Sequence, residues 1–347
     1  MAVTALQQIR KMRGGAESHL MLGSDGHAYV VKFQNNPQHL RVLANELLAT
    51  RLAGLLGLTV PHCDVVDVSS WLVEQTRELT VRKPGGVEER CRAGLQFGSR
   101  LVGGLMPGQT VDYLPETQLG EVKNVAEFAG MLVLDKWTAN ANGRQAVFHK
   151  RPRQKRYEAT FIDQGYCFGA GEWKLDDAPL RGVYARNVVY QEVRGWGSFE
   201  PWMERMLGLD AQRVWEAAES VPPEWYGGAM SEMEALVERL LARRTRVAEL
   251  IEGFRESSRR PFPKWMRGEA GVGQVLFGGA ARVSGWRGRM DGARRVVVPM
   301  SPRRDMGHPF VFAGTGEQPG TWSVGGEASI LKLECRHRVR HPGTLRP

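Results

Sequence analysis

Apolar residues in the first hundred positions fall into short runs broken by turn signals, whereas beyond about residue 124 they form longer stripes at helical spacing. Residues 18–22 and 28–33 read as strands flanking Ser24-Asp25-Gly26, and Asp-Gly between two such runs predicts a hairpin. The stretch before them reads as a short lead-in. Residues 41–56 read as a helix, since Leu43, Leu47, Leu48, Leu52 and Leu55 keep helical spacing and Gly57 follows as the stop. Short strands are expected at 63–68, 72–74 and 91–97. Gly94, Gly98, Gly103, Gly104 and Pro107 then mark a change of direction, the expected junction between a small sheet-rich part (1–96) and a larger helical part (97–263).

In the second part an apolar helix is expected over 124–138. A hairpin follows, with strands at 147–149 and 159–162 joined by Lys150-Arg151-Pro152-Arg153-Gln154-Lys155-Arg156. That basic tip reads either as a solvated turn or as a surface for an acidic or phosphorylated partner, because charge argues association and not fold. Helices are expected over 199–219 and 230–256. In the latter, Met233, Leu236, Leu240, Val247, Leu250, Ile251 and Phe254 form a core-facing stripe.

Past Pro263 the patterning stops. The segment 264–347 is rich in glycine and Arg pairs and has no sustained period, so disorder or weak structure is expected: little apolar surface is present to offset the cost of ordering the chain. It also locates the charge. The whole chain carries +9; Lys and Arg exceed Asp and Glu by eight from Lys264 onward, which leaves the body at +1. Binding of RNA or DNA by this tail through phosphate neutralisation is one reading, disfavoured by its few aromatic residues and the lack of a known module. Another is that the tail is not an evolved segment, as a frame-shifted read-through would produce.

The four cysteines, Cys63, Cys91, Cys167 and Cys335, lack paired spacing, so reduced thiols in a cytoplasmic protein are expected rather than a disulfide framework or a zinc site. The start does not read as a secretory signal, and no apolar run reaches membrane-spanning length.

The candidate chemistry centres on residues 129–165. The apolar helix runs into Asp135, then Asn140, Asn142, Arg144 and Gln145, and a second acid, Asp163, follows a short apolar strand. An acid and two amides at a helix end, with a second acid beyond a strand, suit phosphoryl transfer, which needs positioned oxygens and little covalent chemistry from the protein. Lys32, late in the second hairpin strand, reads either as an edge lysine or as one reaching into a cleft. Glu46, at the border of the 41–56 apolar stripe, is placed to pair with it.

Taken in order, Gly14-Gly15-Ala16-Glu17-Ser18-His19-Leu20, Tyr29-Val30-Val31-Lys32-Phe33, Asn45-Glu46-Leu47 with Leu58-Thr59-Val60-Pro61, Asp135 to Gln145, and Phe161-Ile162-Asp163-Gln164-Gly165 resemble the HipA-like kinases, and more distantly the phosphatidylinositol 3- and 4-kinases. The resemblance covers about residues 12–265. It implies an α+β, two-lobed protein-kinase-like fold, with a small β-rich lobe, a mainly helical lobe and ATP between them. It also implies that Lys32 contacts the phosphates and Glu46 holds it, that Glu17, Ser18 and His19 lie over the phosphates, and that Asp163 holds Mg2+. The implied acceptor is a protein Ser/Thr hydroxyl, although Arg144 and the basic tip also suit an acidic or lipid headgroup.

The catalytic loop departs from the family pattern. Where HipA-like proteins carry Asn-x-Asp-x-His, this chain has Asn140-Ala141-Asn142-Gly143-Arg144, with Val147 where a metal-binding Asn belongs. Three readings stay open. Asp135 and Asn140, five apart, serve as base and metal ligand; or Asn142 merely orients the hydroxyl; or the protein is a nucleotide-binding pseudokinase in which Asp135 caps the helix or bonds within the core.

Overall fold

A computed structural model of the protein describes residues 2–105 and 108–266. The expectations for the tail fall, beyond Met266, outside the described residues.

The chain opens with β1 (Val3–Lys11), β2 (His19–Gly23) and β3 (Ala28–Lys32), followed by α1 (Val42–Leu55), β4 (Cys63–Val68), α2 (Ser70–Gln75), β5 (Thr80–Arg82), β6 (Glu88–Arg90) and β7 (Gly94–Arg100). Five strands close a barrel in the order β1-β2-β3-β7-β4, sealed where β1 and β4 pair in parallel through Val3↔Val66 and Thr4↔Asp67. Met21, Tyr29, Val31, Phe33, Val66 and Val68 fill it. Gly98 admits no side chain there, because a Cβ would stand 2.3 Å from Val66 Cγ2 and 3.2 Å from the Tyr29 ring. β7 runs unbroken across position 96/97.

Sequence patterning passes over β1 because its period is broken. The register with β2 shifts between Ala5 and Gln7 and again between Gln8 and Arg10, so Leu6 and Ile9 stay exposed and only Ala5 is buried. Residues 72–74, expected as a strand, lie in α2 instead. Ser69 caps that helix, its hydroxyl accepting from Leu72 N at 3.1 Å, which commits the next residues to a turn of helix.

The second part contains β8 (Thr110–Val111), α3 (Glu116–Leu119), α4 (Glu127–Trp137), β9 (Gln145–His149), β10 (Glu158–Ile162), α5 (Trp202–Gly208), α6 (Ala211–Glu219), α7 (Met230–Arg243) and α8 (Val247–Arg255). β8, β9 and β10 form a three-stranded sheet with β9 in the middle. Between Asp163 and Trp202 the chain is irregular, with short 3-10 turns.

α1 and α4 are hydrophobic nearly all round, the mark of a helix buried on every side; all of Phe128–Trp137 is buried. Although α1 follows the barrel hairpin in sequence, its apolar residues belong to the same core as α4, α6, α7 and α8. This placement brings the residue expected at the border of its apolar stripe, Glu46, inside the protein at 2% exposure. Among the described residues, no helix is long and apolar enough to cross a membrane.

Candidate active site

A cavity of about 990 Å³ opens between the barrel and the β9–β10 hairpin, and Lys32, Glu46 and Asp163 line it together. Lys32 leaves the end of β3, pairs with Glu46 of α1, and donates to Asp163 Oδ1 at 2.8 Å. Burial pulls the Lys32 ammonium down, but the two carboxylates outweigh it and hold the amine above its ordinary range. Burial likewise pushes Asp163 up, and Lys32 more than reverses this, so Asp163 titrates below the usual carboxylate range. For Glu46 burial prevails and its pKa is raised. The lysine is thus fixed as a cation between two carboxylates that accept its hydrogen bonds.

The turn carrying Asp163 is built against α1. Asp163 has φ 63, a left-handed conformation that a non-glycine residue holds only where its surroundings over-determine it. Gln164 N donates to Glu46 Oε2 at 2.9 Å. The Asn45 amide donates to the carbonyls of Gly165, Cys167 and Ala170, each at 2.9 Å, while its Oδ1 accepts from Trp173 Nε1 at 2.7 Å. His39 Nε2 donates to Gly165 O at 2.8 Å. Gly165 lies so close to α1 that a Cβ would meet Val42 Cγ2 at 2.6 Å.

The helix-end residues divide into two groups. Asn142 and Gln145 line the cavity, and Gln145 Nε2 donates to Asp163 Oδ2 at 2.7 Å. Asp135, Asn140 and Arg144 do not line it. Asp135 and Arg144 form a fork-to-fork pair with both side chains at 1% exposure, Arg144 Nε reaching Asp135 Oδ2 at 3.0 Å and its Nη2 engaging Oδ1. Asn140 Nδ2 donates to Asp135 Oδ1 at 2.9 Å, and Asn140 Oδ1 accepts from Asn142 N at 3.0 Å. Asp135, expected as base, and Asn140, expected as metal ligand, thus lie away from the cavity wall, with both carboxylate oxygens and both ends of the amide engaged by neighbours. Arg144 is a brace, its Nη1 donating to Ile162 O at 3.0 Å and Gln164 Oε1 at 2.6 Å on either side of Asp163.

Of the three residues expected over the phosphates, only Ser18 faces the cavity. Ser18 precedes β2, and Glu17 before it takes a left-handed conformation with φ 48. Glu17 pairs with Lys11 and accepts from Arg82 N, while His19 lies buried between Gln8 and Thr80 O.

The cavity wall also holds Arg10, Arg13, Arg100 and Gln38, which sequence reading did not single out. Arg10 was hidden with β1. Asn45 carried a signal only as part of the quoted family motif, since a polar residue in a leucine-rich helix is ambiguous until its partners are known.

Among the described residues no group of three or more His, Cys, Asp or Glu is placed to hold a metal ion. A magnesium ion in phosphoryl transfer needs only one or two carboxylates, the phosphates supplying further oxygens. Asp163, a hard oxygen donor on the cavity wall with the Gln145 amide beside it, fits that requirement.

No curated protein matches the chain. The Golgi casein kinase with Mn/ADP bound aligns with 73% of this chain and 73% of its own, at 13% identity and a TM-score of 0.42. The Helicobacter pylori proinflammatory kinase CtkA aligns with 70% of this chain and 99% of its own, at 12% identity and a TM-score of 0.42. HipA in the Shewanella oneidensis MR-1 toxin-antitoxin complex with HipB and operator DNA aligns with 73% of this chain and 69% of its own, at 13% identity and a TM-score of 0.38. Residues 6–147, which carry Lys32, Glu46, Asn142 and Gln145 but not Asp163, match the family model of the HipA-like kinase, and the resemblance drawn from the sequence stands on that match.

Proposed function

We propose that the protein is an ATP-dependent kinase that transfers the γ-phosphate of ATP to a hydroxyl, the acceptor being a protein serine or threonine. The observation that carries this reading is Lys32 held between Glu46 and Asp163 on the wall of one large cavity. Barrel and helical part then act as the two lobes of a kinase-like fold, with their boundary after Arg100, at the end of β7. Lys32 contacts the phosphates, Glu46 and Asp163 aim it, and Ser18 offers a hydroxyl to the same charge. A divalent cation held by Asp163 supplies charge neutralisation of the phosphate oxygens. Asn142, exposed on the cavity wall where the family pattern has Asp, orients the acceptor oxygen without taking its proton; a loose transition state makes this role sufficient.

A second reading, a nucleotide-binding pseudokinase acting as a binding module, is favoured by one observation: the only carboxylate at the helix end, Asp135, is fully occupied by Arg144 and Asn140. Both readings are tested by incubating the full chain with γ-labelled ATP and magnesium beside Asp163→Asn. The kinase reading expects label on the protein or on a serine-containing acceptor, reduced roughly 100-fold or more in the variant. A nucleotide-induced rise in Tm with no label in wild type selects the binding module. No rise in Tm removes the nucleotide site altogether.

A further inference from the structure

The β9–β10 hairpin runs from the candidate site to a basic tip. At one end, Gln145 pairs with Ile162 beside Asp163; at the other, His149 pairs with Glu158 beneath residues 150–157. Arg151, Arg153, Lys155 and Arg156 are all exposed there. Among the described residues none of the four forms an ion pair, and the nearest carboxylate on the hairpin, Glu158, is held by Lys123 and His149.

Backbone geometry at the tip supplies an independent observation. Gln154 N donates to Arg151 O at 3.0 Å, and Arg153, with φ 72, occupies the third position of the turn after Pro152. A turn with Pro second and a positive φ third favours glycine at that third position, where any L side chain is strained. The chain places an arginine there, which sets its side chain at the apex of the turn.

We propose that this tip is the docking site for an acidic stretch of the protein that supplies the acceptor hydroxyl, an inference that rests on the kinase reading above. The hairpin fixes the spacing. From Gln145 to His149 the strand advances roughly 13 Å, so an extended chain entering the site reaches the tip about four to seven residues from its hydroxyl. A carboxylate-rich peptide fits better than a nucleic acid, because single-stranded nucleic acids bind through basic grooves interleaved with aromatic faces open for stacking. Here the tip's one aromatic ring, Tyr157, is covered by Lys150 at 4.2 Å.

The test uses the full chain and fluorescent peptides containing one serine, with a glutamate block about five residues before or after it, and the same peptides with glutamine. Binding is followed by anisotropy without ATP, so it reads out whether or not turnover occurs. At least one glutamate peptide should bind wild type about tenfold or more tightly than its glutamine counterpart, with an advantage that fades as salt rises. The variant Arg151→Gln/Arg153→Gln/Lys155→Gln/Arg156→Gln should lose that preference with its Tm unchanged. Changing the same four residues to Glu should transfer the preference to a lysine-block peptide. In phosphorylation assays the glutamine variant should raise KM and leave kcat alone. Absence of label in every arm removes the kinase reading while the binding arm still decides the docking surface. Equal binding of glutamate and glutamine peptides, or undiminished binding to the glutamine variant, overturns the proposal, as does tighter binding of a thymidine oligonucleotide of matched charge.

Discussion

Lys32 and Asp163 stand 131 residues apart in the chain and 2.8 Å apart across the cavity wall, with Glu46 on the other side of the same ammonium. Removing the cation leaves two carboxylates in partly desolvated positions. Lys32→Met should therefore lower stability by about 3–5 kcal/mol at neutral pH. Without the ammonium, the folded pKa values of Glu46 and Asp163 rise above their unfolded values, so the native state binds more protons than the unfolded one and stability falls as pH rises. Urea unfolding should find the deficit relative to wild type smaller at pH 5 than at pH 7. A deficit that does not change with pH would show that these carboxylates do not sense the lysine.

Arg144 separates positioning from charge. Arg144→Met strands Asp135 at 1% exposure and should cost about 3–5 kcal/mol. Adding Asp135→Leu replaces the broken pair by apolar packing and should restore much of that stability, a coupling that a double-mutant cycle reads directly. Phosphoryl transfer should nevertheless stay roughly 100-fold low in the double variant, because the hold on Ile162 O and Gln164 is lost and small misplacements of a reacting group are that costly. Recovery of activity along with stability would reduce Arg144 to a packing residue.

Gly165→Ala tests how tightly the Asp163 turn is seated on α1. The added methyl meets Val42 Cγ2 at 2.6 Å and Glu46 Oε1 at 3.1 Å, so the turn or the helix must shift. Overpacking of this kind costs about 1–3 kcal/mol, and ATP affinity should fall with it. Val42→Ala in the same chain should recover part of both, measured by thermal unfolding and nucleotide titration. An alanine variant with wild-type affinity would mean that the turn moves freely.

Lys136 offers a pH signature outside the cavity. Burial pulls its pKa from 10.5 down to about 8, and its ammonium is met by the carbonyls of Pro179 and Arg181. Below that value both folded and unfolded states hold the proton, and the full cost of burying the charge is present. As pH rises toward 10 the folded lysine releases its proton while the unfolded one keeps it, so stability climbs. Wild-type Tm should increase between about pH 8 and 10, and Lys136→Met should lack the increase.

Much of the framework was legible because its signals are local. Asp-Gly marks the β2–β3 hairpin, the leucine spacing marks α1, and the order Lys32, Glu46, Asp163 survives as one cluster although contacts across more than a hundred residues join it. Roles that depend on which way a side chain points were not legible. Asp135 and Asn142 look equally available in sequence, yet one is bound to Arg144 and the other opens on the cavity. Glu17, Ser18 and His19 are consecutive, and with a left-handed Glu17 just ahead of β2 only the middle one faces the cavity. β1 escaped because its bulges erase the two-residue period. α2 escaped because a three-residue apolar run carries too little length to separate helix from strand.

Asn45 makes the shape of the segment after Asp163 conditional on α1. That segment has no ladder of its own: Phe168, Gly169 and Ala170 all take positive φ, and the carbonyls of Gly165, Cys167 and Ala170 converge on a single amide. Glu46, one residue along the same helix, holds Lys32. Any sliding or rotation of α1 therefore loosens the lysine and the segment after Asp163 together, leaving the Asp163 turn to Arg144 and Gln145 alone.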